Sequence, residues 1–276
     1  MRSVVIVDHA LACRLERTEG TANARFVEAR ARVAPGSGAQ WIEIAGAYAM
    51  FDAPQSPCTQ TFGLGLFRMP TAVDMDRVEA FFKDRGAPVL HEVSPLADKA
   101  LLPMLRERGY RPVELSNVLF LPIGDVLSST PISPSVEHGS LRARVAGPEE
   151  KDVWARTMAE GWREFVEFAD YMRDLTAVSA AIEGNILFLA ELDGQPVAAG
   201  ALATHQGVAL LTGASTIPEW RRRGAQNALL ASRLDYAVRA GCDLAMFCAE
   251  PGGGSQRNAQ RHGFQIAYTR IKWGLS

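Results

Sequence analysis

The stretch of sequence best suited to chemistry is an arginine-rich turn between a predicted strand and a predicted helix. A strand is predicted over 208–216, Pro218 prevents its continuation, and a helix follows over about 225–240. Three arginines, 221–223, and then Gly224 lie immediately before that helix. The first N–H groups of a helix lack intrahelical partners and carry positive partial charge, and glycine lets a ligand approach the backbone closely. This order predicts a cradle for a phosphate or pyrophosphate, with a solvated basic turn as the alternative.

The elements that position this turn form a mixed α/β succession. Apolar patterning and turn signals in the second half predict the order β-α-α-β-β-β-α-β-α-β. The predicted strands cover 141–146, 185–192, 197–204, 208–216, 244–248 and 264–273; the helices cover about 147–162, 165–183 and 225–240, with a short one before Gly263. Two-residue turns are predicted at Asp193-Gly194 and Gln206-Gly207, because such pairs favour hairpins.

The first half ends in a similar succession of predicted helices and strands. Helices are predicted over 74–85 and 95–108, and strands over 89–93 and 113–121. Gly263-Phe264 follows Gly109-Tyr110 by 154 residues. At that offset Leu90 falls on Leu244 and Val93 on Phe247, and all four lie in predicted strands. This indicates an internal repeat. The alternative is coincidence, since glycine is common after helices.

The segment 122–140 is dense in Pro, Ser and Gly, a composition that favours a linker over helix or strand. It divides the chain into a domain at 1–125, a linker at 126–140 and a domain at 141–276. Two domains also suit a chain of 276 residues.

Composition excludes several classes of protein. An apolar fraction of 47% and a charged fraction of 22% are typical of globular chains, not of disordered or coiled-coil ones. A net charge of −2 argues against general nucleic-acid binding. The four cysteines form no C-x-x-C pair and no metal-ligand spacing, so free thiols in a reducing compartment are expected. No signal-peptide core or membrane span is predicted, and a cytoplasmic protein is expected.

The arginine-rich turn resembles motif A of the GNAT superfamily of acyl-CoA-dependent N-acyltransferases, whose pattern is Arg/Gln-x-x-Gly-x-Gly/Ala. Arg221 and Gly224 match this pattern, whereas Gln226 departs from it and would either crowd a phosphate or donate to it. The resemblance implies a GNAT-like α/β (α+β) fold: a mixed, mostly antiparallel central sheet flanked by helices, in two tandem copies. The first copy resembles a degenerate one, because only Arg68-Met69-Pro70-Thr71 stands where the motif belongs.

The resemblance further implies acetyl-CoA as acyl donor, with its diphosphate on backbone N–H groups at 223–227 and its pantetheine arm along 214–217. The thioester would lie near Ser215 or Thr216. The implied cofactor-binding residues are Ser215, Thr216, Ile217, Arg221, Arg222, Arg223, Gly224, Ala225, Gln226, Asn227, Ser255 and Asn258. Ser255 also suits an N-cap.

The groups for proton transfer are less clearly marked. Glu250 is the first candidate for the base, with a solvated glutamate as the equally weighted alternative. The tyrosine that many family members use as acid would fall near Ala259, so Tyr268 is the substitute. Cys248, in an apolar strand, is expected to pack rather than to act as a nucleophile.

The resulting hypothesis is transfer of an acetyl group to a primary amine of a small molecule or peptide, by direct attack in a ternary complex. Acceptor recognition is assigned to 161–171, although its aromatic residues favour a core role. No nucleic acid, metal or membrane is expected as partner, and a homo-oligomer is left open. The alternatives are a non-catalytic CoA-binding or regulatory module, a DNA-binding protein using 221–223, and a Rossmann enzyme, which the absence of an early G-x-G-x-x-G disfavours.

Overall fold

The computed structural model describes residues 6–123 and 141–275, so the predicted linker 126–140 lies outside the described residues. The chain forms two compact units, one of Met1–Leu121 with Met246–Ser276 and the other of Pro122–Ala245. The predicted division at 125 and 141 therefore does not coincide with the compact units, because the last 31 residues pack with the first unit. Among the described residues, no helix is long and apolar enough to cross a membrane.

The first unit combines the first half of the chain with its last elements. Its elements before the second unit are α1 (His9–Val33), β1 (Gln40–Ile44), β2 (Ala47–Phe51), β3 (Gln60–Phe62), α2 (Ala72–Lys83), β4 (Val89–Val93), α3 (Leu101–Glu107) and β5 (Arg111–Pro122). The second unit holds β6 (Arg142–Val145), α4 (Lys151–Glu160), α5 (Ala169–Ala180), β7 (Ile186–Leu192), β8 (Gln195–His205), β9 (Val208–Thr216) and α6 (Ala225–Arg239). The chain then continues with β10 (Leu244–Ala249), α7 (Gly254–Arg261) and β11 (Gln265–Leu275).

The sheet of the first unit has the strand order β1-β2-β3-β4-β11-β5-β10. Strands β3 and β4 pair in parallel, β2 lies antiparallel to both β1 and β3, and β11 lies antiparallel to both β4 and β5. A hydrophobic cluster lies between this sheet and α2 and α3, with Met75, Phe82 and Leu105 among its fully buried members. The last strand of the chain is thus inserted between two strands of the first half.

The register of β5 and β11 agrees with the predicted repeat. Gly109 and Gly263, 154 residues apart, both take left-handed backbone conformations, with φ of 87° and 90°. In the ladder, Ser116 pairs with Arg270, which is also 154 residues later. Antiparallel strands are related by a local two-fold axis, so two equivalent strands of a repeat can pair with equivalent residues opposite each other. The sequence offset and the strand register therefore report the same repeat.

The second unit contains the antiparallel strands β9-β8-β7-β6. Both predicted hairpin turns are confirmed, with positive φ at Asp193-Gly194 and at Gln206-Gly207. Helix α4 covers one face, where Trp154 packs among alternate residues of β7 and β8. Helix α6 covers the other face, where Tyr236 meets Phe188 edge-on at 5.8 Å between ring centroids. Alternation along β7 explains why successive residues meet different helices.

Candidate functional site

Strand β9 leaves regular pairing shortly before it ends. Gly200 of β8 pairs with Ala214, whereas its neighbour Ala201 pairs with Thr212, so Gly213 is the extra residue of a β-bulge. Gly213 has a φ of 35°, a conformation that glycine tolerates best. Gly213 and Ala214 are exposed, although the rest of β9 is buried or half-buried. The bulge therefore presents an accessible stretch of backbone.

The turn after β9 leads into an open helix N-terminus. Arg222 and Gly224 both have left-handed backbone conformations, with φ of 62° and 86°. Gly224 occupies the N-cap of α6, offers no capping side chain, and the first helical turn contains no acidic residue. The N–H groups of the first turn at 225–227 are therefore left to solvent or to a ligand, and the helix dipole favours an anion there.

The three arginines take different positions. Arg221 turns back onto the protein: its guanidinium donates to Thr216 O (3.3 Å) and Gly161 O (2.9 Å) and pairs with Glu164. Arg223 lies over the ring of Trp220, with 4.8 Å between Cζ and the ring centroid. Both Arg222 and Arg223 are exposed. Arg221 thus stabilises the turn through these contacts. Arg222 and Arg223 supply accessible positive charge beside the helix N-terminus.

Gln226, the departure from the motif, has a definite partner. Its Nε2 donates to Thr216 Oγ1 at 2.8 Å, which ties the first turn of α6 to the last residue of β9. Ile217 between them donates its N–H to Val197 O at 3.0 Å and is therefore held to β8. The longer side chain at 226 is accommodated by this hydrogen bond.

The end of β9 is also fixed from the side of α4. Ser215 is buried, and its hydroxyl donates to Met158 O at 2.8 Å. Gly161, just after α4, packs against it so closely that a Cβ there would lie 2.3 Å from Ser215 Oγ. This connection reaches the exposed aromatic residues Trp162 and Phe165, which are 41% and 45% accessible. The prediction that these two aromatic residues belong to the core was wrong, because both follow the end of α4 at Glu160, where residues 162–167 are exposed.

Helix α2, which follows β3 in the first half, has a different N-terminus. Thr71 and Asp74 form a capping box: Asp74 N donates to Thr71 Oγ1 at 3.2 Å, and Thr71 N donates to Asp74 Oδ2 at 2.9 Å. Hydrogen bonds from Thr71 are the main reason that the pKa of Asp74 is lowered, and Arg68 adds an ion pair at 3.2 Å. A carboxylate of the protein therefore already occupies the position where an anionic ligand would bind at α6.

Four of the predicted site residues, Glu250, Ser255, Asn258 and Tyr268, belong to the first unit. The predicted site residues at 215–227 belong to the second unit. Glu250 is exposed and follows β10. Ser255 is exposed and lies inside α7; the expectation of Ser255 as N-cap was wrong, since Gly253 has the extended N-cap conformation. Asn258 is half-buried on the same helix, and its carbonyl contacts His262 Nδ1 at 2.8 Å. Their roles toward a cofactor or substrate stay predictions.

Tyr268 belongs to a buried polar cluster that the sequence did not reveal. Its hydroxyl donates to Glu16 Oε1 at 3.0 Å, and Glu16 also receives a hydrogen bond from Arg270 at 3.3 Å. Arg270 donates to Glu19 at 2.6 Å, and the thiol of Cys248 donates to Glu19 at 3.1 Å. Burial raises the pKa of Glu16 to about 7 and raises that of Tyr268 well above its ordinary value. The acid role predicted for Tyr268 is untested, and its hydroxyl already has a partner within the protein.

Comparison with known proteins gives a family match over part of the chain. The model of the acetyltransferase (GNAT) family matches residues 154–264. No curated protein gives a match.

Solved structures share the fold across most of the chain. A GCN5-related N-acetyltransferase from Kribbella flavida is 20% identical, with a TM-score of 0.61, 91% of this chain and 94% of that chain covered. A tandem GNAT protein from the clavulanic acid biosynthesis pathway is 11% identical, with a TM-score of 0.59 and coverage of 92% and 94%. A functionally unknown conserved protein from Staphylococcus epidermidis ATCC 12228 is 11% identical, with a TM-score of 0.58 and coverage of 86% and 94%.

Proposed function

We propose that this chain is a member of the GNAT superfamily that transfers an acetyl group from acetyl-CoA to a primary amine of a small molecule or peptide. The observation that carries the proposal is the open N-terminus of α6, with Gly224 at the cap, no acidic residue in the first turn and exposed arginines beside it. An uncapped helix N-terminus preceded by such a turn suits a diphosphate.

The residues of the second unit fit acetyl-CoA in two places. The N–H groups at 225–227, with the side chains of Arg222 and Arg223, would hold the diphosphate. The exposed backbone at Gly213–Ala214 would receive the pantetheine arm by strand addition, because a bulge leaves N–H and C=O groups without ladder partners. The bound thioester supplies the activated acyl group, and backbone N–H groups near this bulge would polarise its carbonyl.

We expect one such site per chain. The N-terminus of α2 is closed by Asp74, whose carboxylate accepts from Thr71 N and Thr71 Oγ1, both at 2.9 Å. A second diphosphate there would have to displace this carboxylate and would face its charge. The first half therefore supports the fold but lacks a usable cradle.

Direct attack by the amine is favoured over an acyl-enzyme. Burial raises the pKa of all four thiols. The pKa of Cys58 is raised to about 12, and that of Cys248 lies well above its ordinary value. A cysteine nucleophile reacts as the thiolate and is normally activated by a lowered pKa. The pKa values of these thiols are raised instead, so a cysteine nucleophile is disfavoured. Holding the amine and the acyl donor together would supply much of the acceleration.

Release of free CoA from acetyl-CoA, followed with a thiol reagent across a panel of primary amines, tests this function. We expect amine-dependent release that Gly224→Asp lowers at least tenfold by adding a carboxylate at the cradle. Gly194→Asp is the matched control, since Gly194 is also left-handed, with φ of 80°, but lies in a hairpin turn with open space around it. Binding of acetyl-CoA without release for any amine would favour the non-catalytic module instead.

A further inference from the structure

Helix α6 contains a buried cation, Arg233, on its inner face. The side chain of Arg233 lies on the face of the helix toward the sheet, and the residue is 5% exposed. Its Nε donates to Leu229 O at 3.2 Å, and its Nη1 donates to Ala201 O at 3.4 Å and Thr212 O at 3.5 Å. Over 6–123 and 141–275, no carboxylate forms an ion pair with it. Burial lowers its pKa to about 10, so the guanidinium is still charged at neutral pH.

A buried charge of this kind lowers the stability of the folded state. Burying an ion costs solvation that only an opposite charge or a full set of hydrogen bonds offsets, and carbonyl oxygens alone offset it incompletely. An apolar residue of similar size would fill the same volume without that cost. A buried group that lowers stability in this way indicates a role outside stability.

The guanidinium lies beside the bulge of β9. Ala201 and Thr212, whose carbonyls accept its Nη1, are the last regular pair before the bulge. A Cβ on Gly200 would lie 3.3 Å from Arg233 Cζ and 3.4 Å from Gly213 O. The absence of a side chain at 200 therefore leaves room for the guanidinium next to the bulged residue. The exposed pair Gly213–Ala214 continues directly from this point.

We propose that Arg233 is a positioning residue for acyl transfer: it fixes the bulge through the carbonyls of both strands, and its charge makes the potential at Gly213–Ala214 more positive. The inference rests on the proposed function, in which this stretch of β9 receives the acyl end of the donor. A fixed cation in a dry environment stabilises negative charge that develops on an acyl oxygen more than negative charge that is absent in the ground state. Its removal therefore lowers kcat with little effect on KM.

The test compares Arg233→Met, Arg233→Lys and the matched control Arg239→Met. Arg239 lies on the same helix but is exposed, with an i,i+4 ion pair to Asp235. For Arg233→Met we expect kcat to fall at least tenfold, KM for acetyl-CoA to stay within twofold, and Tm to equal or exceed that of the wild type. Arg233→Lys keeps the charge and is expected to recover at least a third of the wild-type kcat. Arg239→Met is expected to match the wild type.

Two results would overturn the inference. One is a kcat for Arg233→Met within twofold of the wild type. The other is a joint fall of Tm and kcat that Lys does not rescue, since that pattern marks a purely structural residue. Amide hydrogen exchange of the peptide covering 210–216 gives a readout that needs no turnover. Arg233→Met is expected to speed its exchange at least fivefold, and unchanged exchange would refute the bulge-fixing role even if the wild type shows no activity, an outcome that would separately refute the proposed function.

Discussion

Two buried groups of the first unit are predicted to cancel each other's effect on pH-dependent stability. Burial raises the pKa of Glu16 from 4.5 to about 7 and lowers the pKa of His91 from 6.5 to about 3. Between pH 5 and 6, folded Glu16 holds a proton that the unfolded chain has released, so its contribution to stability falls as pH rises. Folded His91 lacks a proton that the unfolded chain still binds, so its contribution rises.

The two contributions are similar in size. With these pKa values, each group changes the free energy of unfolding by about 1 kcal/mol between pH 5 and pH 6, with opposite signs. Replacing one group exposes the other. Glu16→Gln, which retains an acceptor for Tyr268, is expected to make the change from pH 5 to 6 more positive than in the wild type by about 1 kcal/mol. His91→Phe, which retains the ring contact with Tyr110, is expected to make it more negative by a similar amount.

Urea unfolding followed by circular dichroism at pH 5 and pH 6 measures these differences. Each variant is compared with the wild type in the same buffers, so that other titrating carboxylates contribute equally. Glu43→Gln, a change at an exposed residue of β1, is the control and is expected to follow the wild type. The reasoning fails if Glu16→Gln and His91→Phe change the pH dependence in the same direction, or if neither departs from the wild type.

The remaining predictions concern packing and one buried ion pair. Gly161→Ala is expected to cost about 1–3 kcal/mol of stability by overpacking, because the new Cβ would lie 2.4 Å from Ser215 Cβ; Gly36→Ala, where nothing lies within 4 Å, is the control, and equal Tm values for the two variants would contradict the packing argument. Arg30→Met is expected to cost about 3–5 kcal/mol, because it leaves buried Asp52 without the guanidinium 2.6 Å away. Thermal unfolding checks both, and a loss below 1 kcal/mol for Arg30→Met would show that Asp52 relies little on that pair.

Local signals predicted the elements around the site well. The predicted bounds of β9 and the predicted start of α6 match the structure, because Pro218 prevents the strand from continuing and Gly224 immediately precedes the helix. The glycines at 109 and 263 marked equivalent helix ends for the same reason, since a left-handed residue is a local requirement. These features depend on a few neighbouring residues, which a single sequence displays.

Features that depend on distant partners were not predictable. Helix α1 went unrecognised because its buried face includes Glu16, Thr18 and Gly20, which weaken the apolar periodicity. The insertion of β11 between β4 and β5 leaves no local trace, and neither does the guanidinium of Arg233 beneath the bulge. Arg221 shows the limit of a motif: its position was predicted, whereas its contacts with Gly161 and Glu164 required the fold.

The most direct test of the central claim is calorimetric titration of the full chain with acetyl-CoA. The account predicts one site per chain, weakened at least tenfold by Arg223→Ala, lost in Gly224→Asp and retained in Gly194→Asp. Two sites in the wild type, or equal affinities for Gly224→Asp and Gly194→Asp, would contradict the assignment of the cradle to the N-terminus of α6.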